Sequence, residues 1–254
     1  MVQELFFTET AEYADVVLPS ASFAETDGTF TNTERRVQRV RKAIEPLPGK
    51  TNWQILMELG NKLGYPMDYN SPADIFAEMA SLTPAYGGIN YSRIENQGLQ
   101  WPCPDLNHPG TPYLHAKTFS KGKGSFQNIE HTPPAELPDK EYPFLLSTGR
   151  ILYHYNVTTP YSESLFSMWN EEYAEMNPHD AAQLQLSYGD TVKVHSRRGE
   201  AITKIQVTDR VPPGMIWMSF HYKDSPANAL TSDAIDPITQ TGEYKVCAVQ
   251  IEKI

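Results

Sequence analysis

Asn177-Pro178-His179-Asp180-Ala181-Ala182-Gln183-Leu184, then Gly189-Asp190, Thr191-Val192-Lys193-Val194-His195-Ser196, Arg197-Arg198-Gly199-Glu200 and Ala201 through Thr208: this run decides the fold. Asn177 is a good helix cap, and Pro178 suits a first helical position, where its missing N–H costs nothing. The first eight residues therefore predict a short helix. Gly189-Asp190 turns the chain into a strand, and Arg197-Arg198-Gly199-Glu200 turns it back. In the returning strand Ile202, Lys204, Gln206 and Thr208 alternate against Thr203, Ile205 and Val207. Period-two alternation is the mark of a strand with two unlike faces.

Working outward, Phe144-Leu145-Leu146-Ser147-Thr148 reads as a strand before this run. Pro212-Pro213-Gly214 turns into Met215-Ile216-Trp217-Met218, and Val246 to Ile251 forms a last strand. Short strands at close intervals with one small helix predict a compact barrel. Further upstream, Ala14-Asp15-Val16-Val17-Leu18-Pro19 is a strand end closed by proline, and Glu25 to Asn32 reads as a loop of turn formers and hydroxyls. Glu34 to Lys42 carries five basic residues in nine and suits a strand or ribbon. Trp53, Ile55, Leu56, Leu59 and Leu63 recur at helical spacing, with Thr51 or Asn52 as the cap and Gly64 as the stop. Ser71-Pro72 opens a second helix through Ile75, Phe76 and Met79. Residues 83–138 are rich in Pro, Gly, Asn and Tyr and predict irregular structure, with Pro133-Pro134 and Pro138 marking a linker.

The 254 residues suffice for one large domain or two smaller ones. A net charge of -10 excludes a general nucleic-acid binder, which needs a broad basic face. It leaves room for a local basic pocket that takes a phosphorylated ligand. Cys103 and Cys247 form no CxxC pair, so the chain encodes no zinc ribbon or iron–sulfur motif, and both read as buried thiols. The seven histidines show no HxH or HExxH spacing, and there is no Walker A loop, GxGxxG or GxSxG. No metal ligands and no self-sufficient catalytic set are read here. No apolar run reaches the roughly 18 residues of a membrane span, and Met1 to Thr10 has no signal-peptide pattern.

What stands out is a series of donor-rich loops. Ser147-Thr148-Gly149-Arg150 leaves a strand with backbone N–H groups, a hydroxyl and a guanidinium, a set that suits an anion. Taken alone it is equally an ordinary turn with a solvated arginine. His154 follows four residues later and alone reads as structural. Phe220-His221, Asn228-Ala229-Leu230-Thr231, Asp236-Pro237 and Glu243-Tyr244-Lys245 come after Ser196-Arg197-Arg198-Gly199.

In this order the motifs resemble the C-terminal region of the dimethylsulfoxide-reductase superfamily of molybdopterin enzymes. That family has a Thr-Gly-Arg strand end with a nearby His, an Asn-Pro-x-Asp-Ala helix, a Gly-Asp turn, a Ser-Arg-Arg-Gly hairpin and an Asn-x-Leu-Thr, Asp-Pro, Glu-Tyr-Lys tail. The upstream part is similar too: Ala14 to Pro19, then Glu25, Gly28, Thr29, Asn32, Glu34, Arg35, Arg36 and Gln38. Leu99-Gln100-Trp101-Pro102-Cys103-Pro104, with Thr111 and Tyr113-Leu114, resembles the catalytic (alpha) subunits of formate dehydrogenases in particular.

The resemblance implies an α+β, β-rich chain. Residues 1–50 would be the remnant of a preceding α/β molybdopterin oxidoreductase domain. Residues 51–138 would be a helical and irregular connecting segment, and 139–254 a six-stranded double-psi β-barrel that binds the dinucleotide. It implies bis-molybdopterin guanine dinucleotide with Mo or W, and a 4Fe-4S cluster in an N-terminal part outside this chain. The cofactor-binding residues it implies are Thr148, Gly149, Arg150, His154, His221, Asn228, Tyr244 and Lys245. The metal-ligating and catalytic residues would lie upstream, so the chain alone should not oxidise formate. The implied partners are the remaining domains of the same subunit and electron-transfer subunits, with no nucleic acid and no membrane insertion. The expected location is the cytoplasm, or the periplasm given a twin-arginine signal. The rival readings are a nitrate reductase, a respiratory-complex subunit of the same superfamily, and a standalone double-psi barrel module. Arg35-Arg36 reads either as a solvated ribbon or as a wall of the substrate funnel.

Overall fold

The structure is a computed structural model describing residues 1–254, the side chains of Val157 and Pro160 apart. The chain divides into two compact units, Met1–Gln127 and Asn128–Ile254.

The first unit begins with β1 (Val2–Glu4), α1 (Glu9–Glu12) and β2 (Val17–Pro19), the two strands pairing in parallel. An antiparallel sheet follows, made of β3 (Gly28–Thr31), β4 (Arg36–Val40) and β5 (Leu99–Gln100). Gly28–Thr31 was expected in a loop; it pairs instead with β4, residue for residue from Val40 back to Val37. Its glycine and hydroxyls hid the strand, since the signal lies in the partner. Between β4 and β5 stand α2 (Asn52–Lys62) and α3 (Pro72–Leu82), capped by Thr51 and Ser71, with Pro72 opening α3 as predicted. Val37, Phe76, Ala80, Ile89, Ile94 and Cys103 form the core of this unit.

Two arginines order its irregular part. Arg35, at a positive φ of 66°, turns its guanidinium onto the carbonyls of Trp101, Thr111 and Pro112. Arg93 donates to the carbonyls of Gly88 and His108 and to Cys103 Sγ. Arg36 pairs with Glu34 and with the Gly98 carbonyl. The solvated-ribbon reading of Arg35-Arg36 is therefore corrected: one arginine clamps a loop by its carbonyls, and the other is held in an ion pair.

The second unit is a closed six-stranded barrel. Its strands are β6 (Phe144–Gly149), β7 (Tyr173–Met176), β8 (Thr191–His195), β9 (Glu200–Val207), β10 (Met215–Ser219) and β11 (Cys247–Lys253). They close in the order β10-β6-β11-β8-β9-β7. β6 with β10, and β7 with β9, run parallel; the other pairs are antiparallel. The helices α4 (Glu163–Phe166) and α5 (Pro178–Gln183) flank β7 in the chain. Closure leaves no open sheet edge. Leu146, Val192, Val194, Ile205, Ile216, Met218 and Val249 all reach zero exposure and fill the interior. In β9 the predicted alternation holds, with Ala201, Thr203 and Ile205 inside and Ile202 half exposed.

The signature of α5 has a physical basis. The Asn177 side chain accepts from His179 N–H at 3.0 Å and donates to the Val211 carbonyl at 2.8 Å. Buried Asp180 accepts the Gly214 N–H at 2.6 Å, and Gly214 has a φ of +78° that favours glycine. One helix turn thus fixes the turn into β10.

Ile205→Ala should destabilise the barrel by about 2–5 kcal/mol, because it leaves a cavity in a packed interior. Ile202→Ala, on the opposite face, should cost less than about 1 kcal/mol. Urea unfolding of both variants checks the assigned faces; equal losses would invert them.

Candidate cofactor site

β6 ends at Gly149, between β10 on one side and β11 on the other. The chain then leaves the barrel, so the end of β6 gathers side chains from three separate segments. Thr148 is buried, and its hydroxyl donates to the Tyr244 carbonyl at 2.6 Å. Lys245 Nζ donates in return to the Thr148 carbonyl. The tail is therefore stitched to β6 on both sides of residue 148. Gly149 lies against Trp217: a Cβ there would come within 2.7 Å of the indole. Only glycine lets the strand end pass this ring.

Arg150 donates from Nε to Asn156 Oδ1 at 2.7 Å. Its guanidinium lies 5.1 Å from the centre of the Phe220 ring, and Lys245 Nζ lies 5.7 Å from the same ring. Two cations thus converge on one aromatic platform. Among the described residues neither cation has a carboxylate partner, and an incoming anion would supply a counter-ion.

The histidines are buried, His221 at 2% exposure and His154 at 5%. Their tautomers follow from their partners. His221 Nε2 accepts the Ile151 N–H at 3.0 Å, so Nδ1 carries the proton and donates to the Asn156 carbonyl at 3.1 Å. Burial, with His154 and Arg150 nearby, lowers the pKa of His221 against the pull of the Asn156 carbonyl. It stays neutral. His154 Nε2 sits 2.6 Å from the Trp169 carbonyl, which only accepts, so Nε2 is protonated. The Tyr222 hydroxyl joins the same carbonyl at 2.6 Å. Burial, with the carboxyls of Glu172 and Glu171 nearby, keeps that hydroxyl protonated. In the neutral ring His154 Nδ1 is then a bare acceptor, buried and without a hydrogen-bond partner among the described residues.

Asn228 stands exposed on a short turn, Ala227–Ala229, whose flanking Ala227 and Leu230 are wholly buried. This turn packs on the β8–β9 hairpin, where a Cβ on Gly199 would meet the Ala229 carbonyl at 2.7 Å. Tyr244 is half exposed and folds its ring back over Gly242. The structure thus brings together Thr148, Gly149, Arg150, His154, His221, Tyr244 and Lys245. Asn228 belongs to a separate turn, the one packed on the β8–β9 hairpin. The Thr148 hydroxyl is committed within the protein, so its share in any ligand site is to fix the tail.

Sequence reasoning missed Phe220 as the platform, Asn156 and Tyr222 as partners, and above all Glu172. The Glu172 carboxyl accepts the Ser219 N–H at 3.0 Å and the Ser219 hydroxyl, and is 6% exposed. Burial pushes its pKa up to about 7, against the hydrogen bonds from Ser219. Glutamate directly before a strand gives no sequence signal of burial.

Residues 144–248 match the Molydopterin dinucleotide binding domain, and residues 1–62 match the Molybdopterin oxidoreductase domain. The chain belongs to the molybdopterin oxidoreductase family. It is 48% identical over its whole length to the F420-dependent formate dehydrogenase subunit alpha of Methanocaldococcus jannaschii, spanning 39% of that protein. It is 39% identical to formate dehydrogenase H of Escherichia coli, of which it spans 37%. The assimilatory nitrate reductase catalytic subunit of Bacillus subtilis is 36% identical over 98% of the chain. Among solved structures, acetylene hydratase from Pelobacter acetylenicus superposes with a TM-score of 0.71 over 99% of the chain and 40% of its own. At 16% identity this last likeness shows the fold alone. The match to the dinucleotide binding domain falls on the barrel, the unit that bears the Arg150, Lys245 and His154 cluster.

The residues present fit such a cofactor. His154 Nδ1 offers a buried acceptor to a ring N–H, and Arg150 with Lys245 offers charge to a phosphate.

Glu172 makes stability depend on pH. Its folded-state pKa of about 7 exceeds the unfolded value near 4.5, so the stabilisation belongs to the protonated form. It is full below about 4.5 and is lost as pH rises through about 7. The unfolding free energy of the wild type minus that of Glu172→Gln should fall by about 2–3 kcal/mol between pH 5 and pH 8. Denaturant titrations at the two pH values measure it; a pH-independent difference would contradict the buried protonated carboxyl.

Proposed function

We propose that this chain is the C-terminal part of the catalytic subunit of a formate dehydrogenase, and that its barrel grips a bis-molybdopterin guanine dinucleotide. The observation that carries the reading is the cluster at the end of β6. Two cations on Phe220 and a buried bare acceptor on His154 are the counterparts of a diphosphate joined to an N–H-rich ring. Formate as substrate is supported by the relatives, three of them F420-dependent formate dehydrogenase alpha subunits at 42–48% identity over the whole chain. The nitrate reductase relative stands lower, at 36%.

The chain's own residues have defined tasks in this reading. Arg150 offsets phosphate charge and is aimed by Asn156. Lys245 adds a second charge and ties the tail to β6. His154 accepts a hydrogen bond through Nδ1, and neutral His221 holds the 151–156 loop by its two ring nitrogens. When bound, the cofactor supplies the molybdenum or tungsten centre that takes two electrons from formate as it becomes carbon dioxide. The protein's part here is binding and orientation. The remaining domains of the subunit would carry the metal ligand and a 4Fe-4S cluster, and electron-transfer subunits would take the electrons onward. The chain spans about 39% of the relatives it resembles in substrate, which leaves room for those domains.

In the full-length subunit, Arg150→Ala should lower molybdenum or tungsten content after purification by severalfold, since one charge-assisted contact is lost. Unchanged metal content would count against the site. The 254-residue chain by itself should show no formate-dependent dye reduction; clear turnover would overturn the division of labour.

A further inference from the structure

Arg197 and Arg198, at the tip of the β8–β9 hairpin, look like phosphate ligands by composition. They are instead already paired within the chain. Glu136 lies in the segment before β6, outside any regular element, and its side chain is 13% exposed. Glu136 Oε1 accepts from Arg197 at 2.5 Å. Its Oε2 accepts from Arg198 Nη2 at 2.7 Å and from the Ala248 N–H at 3.1 Å. Asp139 takes the other end of Arg197. Burial raises the Glu136 pKa, but the bonds from Arg198, Ala248 and Arg197 outweigh it, so the carboxylate stays charged. Two arginines are thus balanced by two carboxylates from one short strap.

Arg198 passes this restraint on. Its Nε and Nη2 donate to the Leu230 carbonyl at 3.2 and 3.0 Å. Leu230 closes the turn that carries Asn228, and Gly199 presses against the same turn. The strap also touches the second limb of the site. The Ala135 N–H donates to Glu243 at 3.1 Å, next to Tyr244, and Ala248 lies three residues beyond Lys245. The half-buried Glu136 and its neighbour Ala135 therefore hold both segments that reach toward the cofactor.

We propose that Glu136 is a positioning residue for cofactor binding: through Arg198 and the Leu230 carbonyl it sets the Asn228 turn, and through Ala248 it sets the Tyr244–Lys245 tail. The inference rests on the reading that these two segments hold the dinucleotide. A glutamine at 136 keeps the shape and an acceptor but loses the charge that orients both guanidinium groups. A lysine at 198 keeps a charge for Glu136 but cannot span Glu136 and Leu230 together.

The test uses the full-length subunit, with the metal retained after dilution as the readout and the unfolding midpoint of each cofactor-free variant as a control. Glu136→Gln and Asn228→Ala should each speed metal loss by about tenfold, the scale of one charge-assisted hydrogen bond or its equivalent. A glutamine at 136 still offers an acceptor to the Ala248 N–H, so Glu136→Gln disturbs the Asn228 turn and spares the tail; the double variant should therefore lose metal no faster than Asn228→Ala alone. Arg198→Lys should match Glu136→Gln, which keeps the test open should the first variant fold poorly. Wild-type retention in Glu136→Gln and Arg198→Lys overturns the proposal, as does a double variant whose loss is the product of the two singles. A general structural role for Glu136 would give that product. Wild-type retention in Asn228→Ala would refute the cofactor role of Asn228 itself, and with it the route proposed here.

Discussion

Strand β6 is hydrogen-bonded along both edges, in parallel to β10 and antiparallel to β11. This double pairing is the constraint on which the site depends. It places the last residues of β6, the exit from β10 and the entry to β11 at one end of the barrel. Those three chain ends lie about seventy and a hundred residues apart in sequence, as the pairings 148 with 218 and 146 with 247 show. Once they are fixed, the Thr148 hydroxyl and the Lys245 ammonium close the last gap between β6 and the tail. A cluster of cations would repel itself if free. Here the aromatic face of Phe220 lies under both Arg150 and Lys245, and the Asn156 amide holds Arg150 in place.

The same logic separates binding groups from holding groups. Arg150 and Arg198 are both arginines in Gly-flanked turns, and composition treats them alike. Their surroundings do not. Arg198 is closed in by Glu136 and the Leu230 carbonyl, while Arg150 meets one neutral amide and an aromatic ring. A guanidinium already neutralised by a carboxylate has little to offer a phosphate; one on a ring does. His154 and His221 divide in the same way. Both nitrogens of His221 are used internally, whereas one nitrogen of His154 is left bare.

Much of the barrel was legible in the sequence. Five of its strands stood out because their alternation and their turns are local: Gly189-Asp190, Arg197-Arg198-Gly199 and Pro212-Pro213-Gly214 punctuate them. β7 did not stand out. Its residues Tyr173-Ala174-Glu175-Met176 carry a buried glutamate, and Glu172 lies just before it. A buried carboxyl looks like a surface residue until its partners, Ser219 and Arg210, are placed beside it. β3 was hidden for the related reason that its strand character comes from pairing with β4. The site residues were named through family resemblance and not from spacing, because residues 148, 221 and 245 meet only through the barrel's closure. The platform Phe220 and the carboxylate Glu136 have no motif of their own and became visible only in three dimensions.

On this reading the end of β6 receives a dinucleotide. An experimental density map of the full-length subunit with its cofactor tests this most directly. Ligand density is expected within hydrogen-bonding distance of His154 Nδ1, with phosphate density against Arg150 and Lys245. Density for the dinucleotide that leaves His154 Nδ1 and Arg150 untouched, with Arg197 and Arg198 released from Glu136 to bind the phosphates, would contradict it.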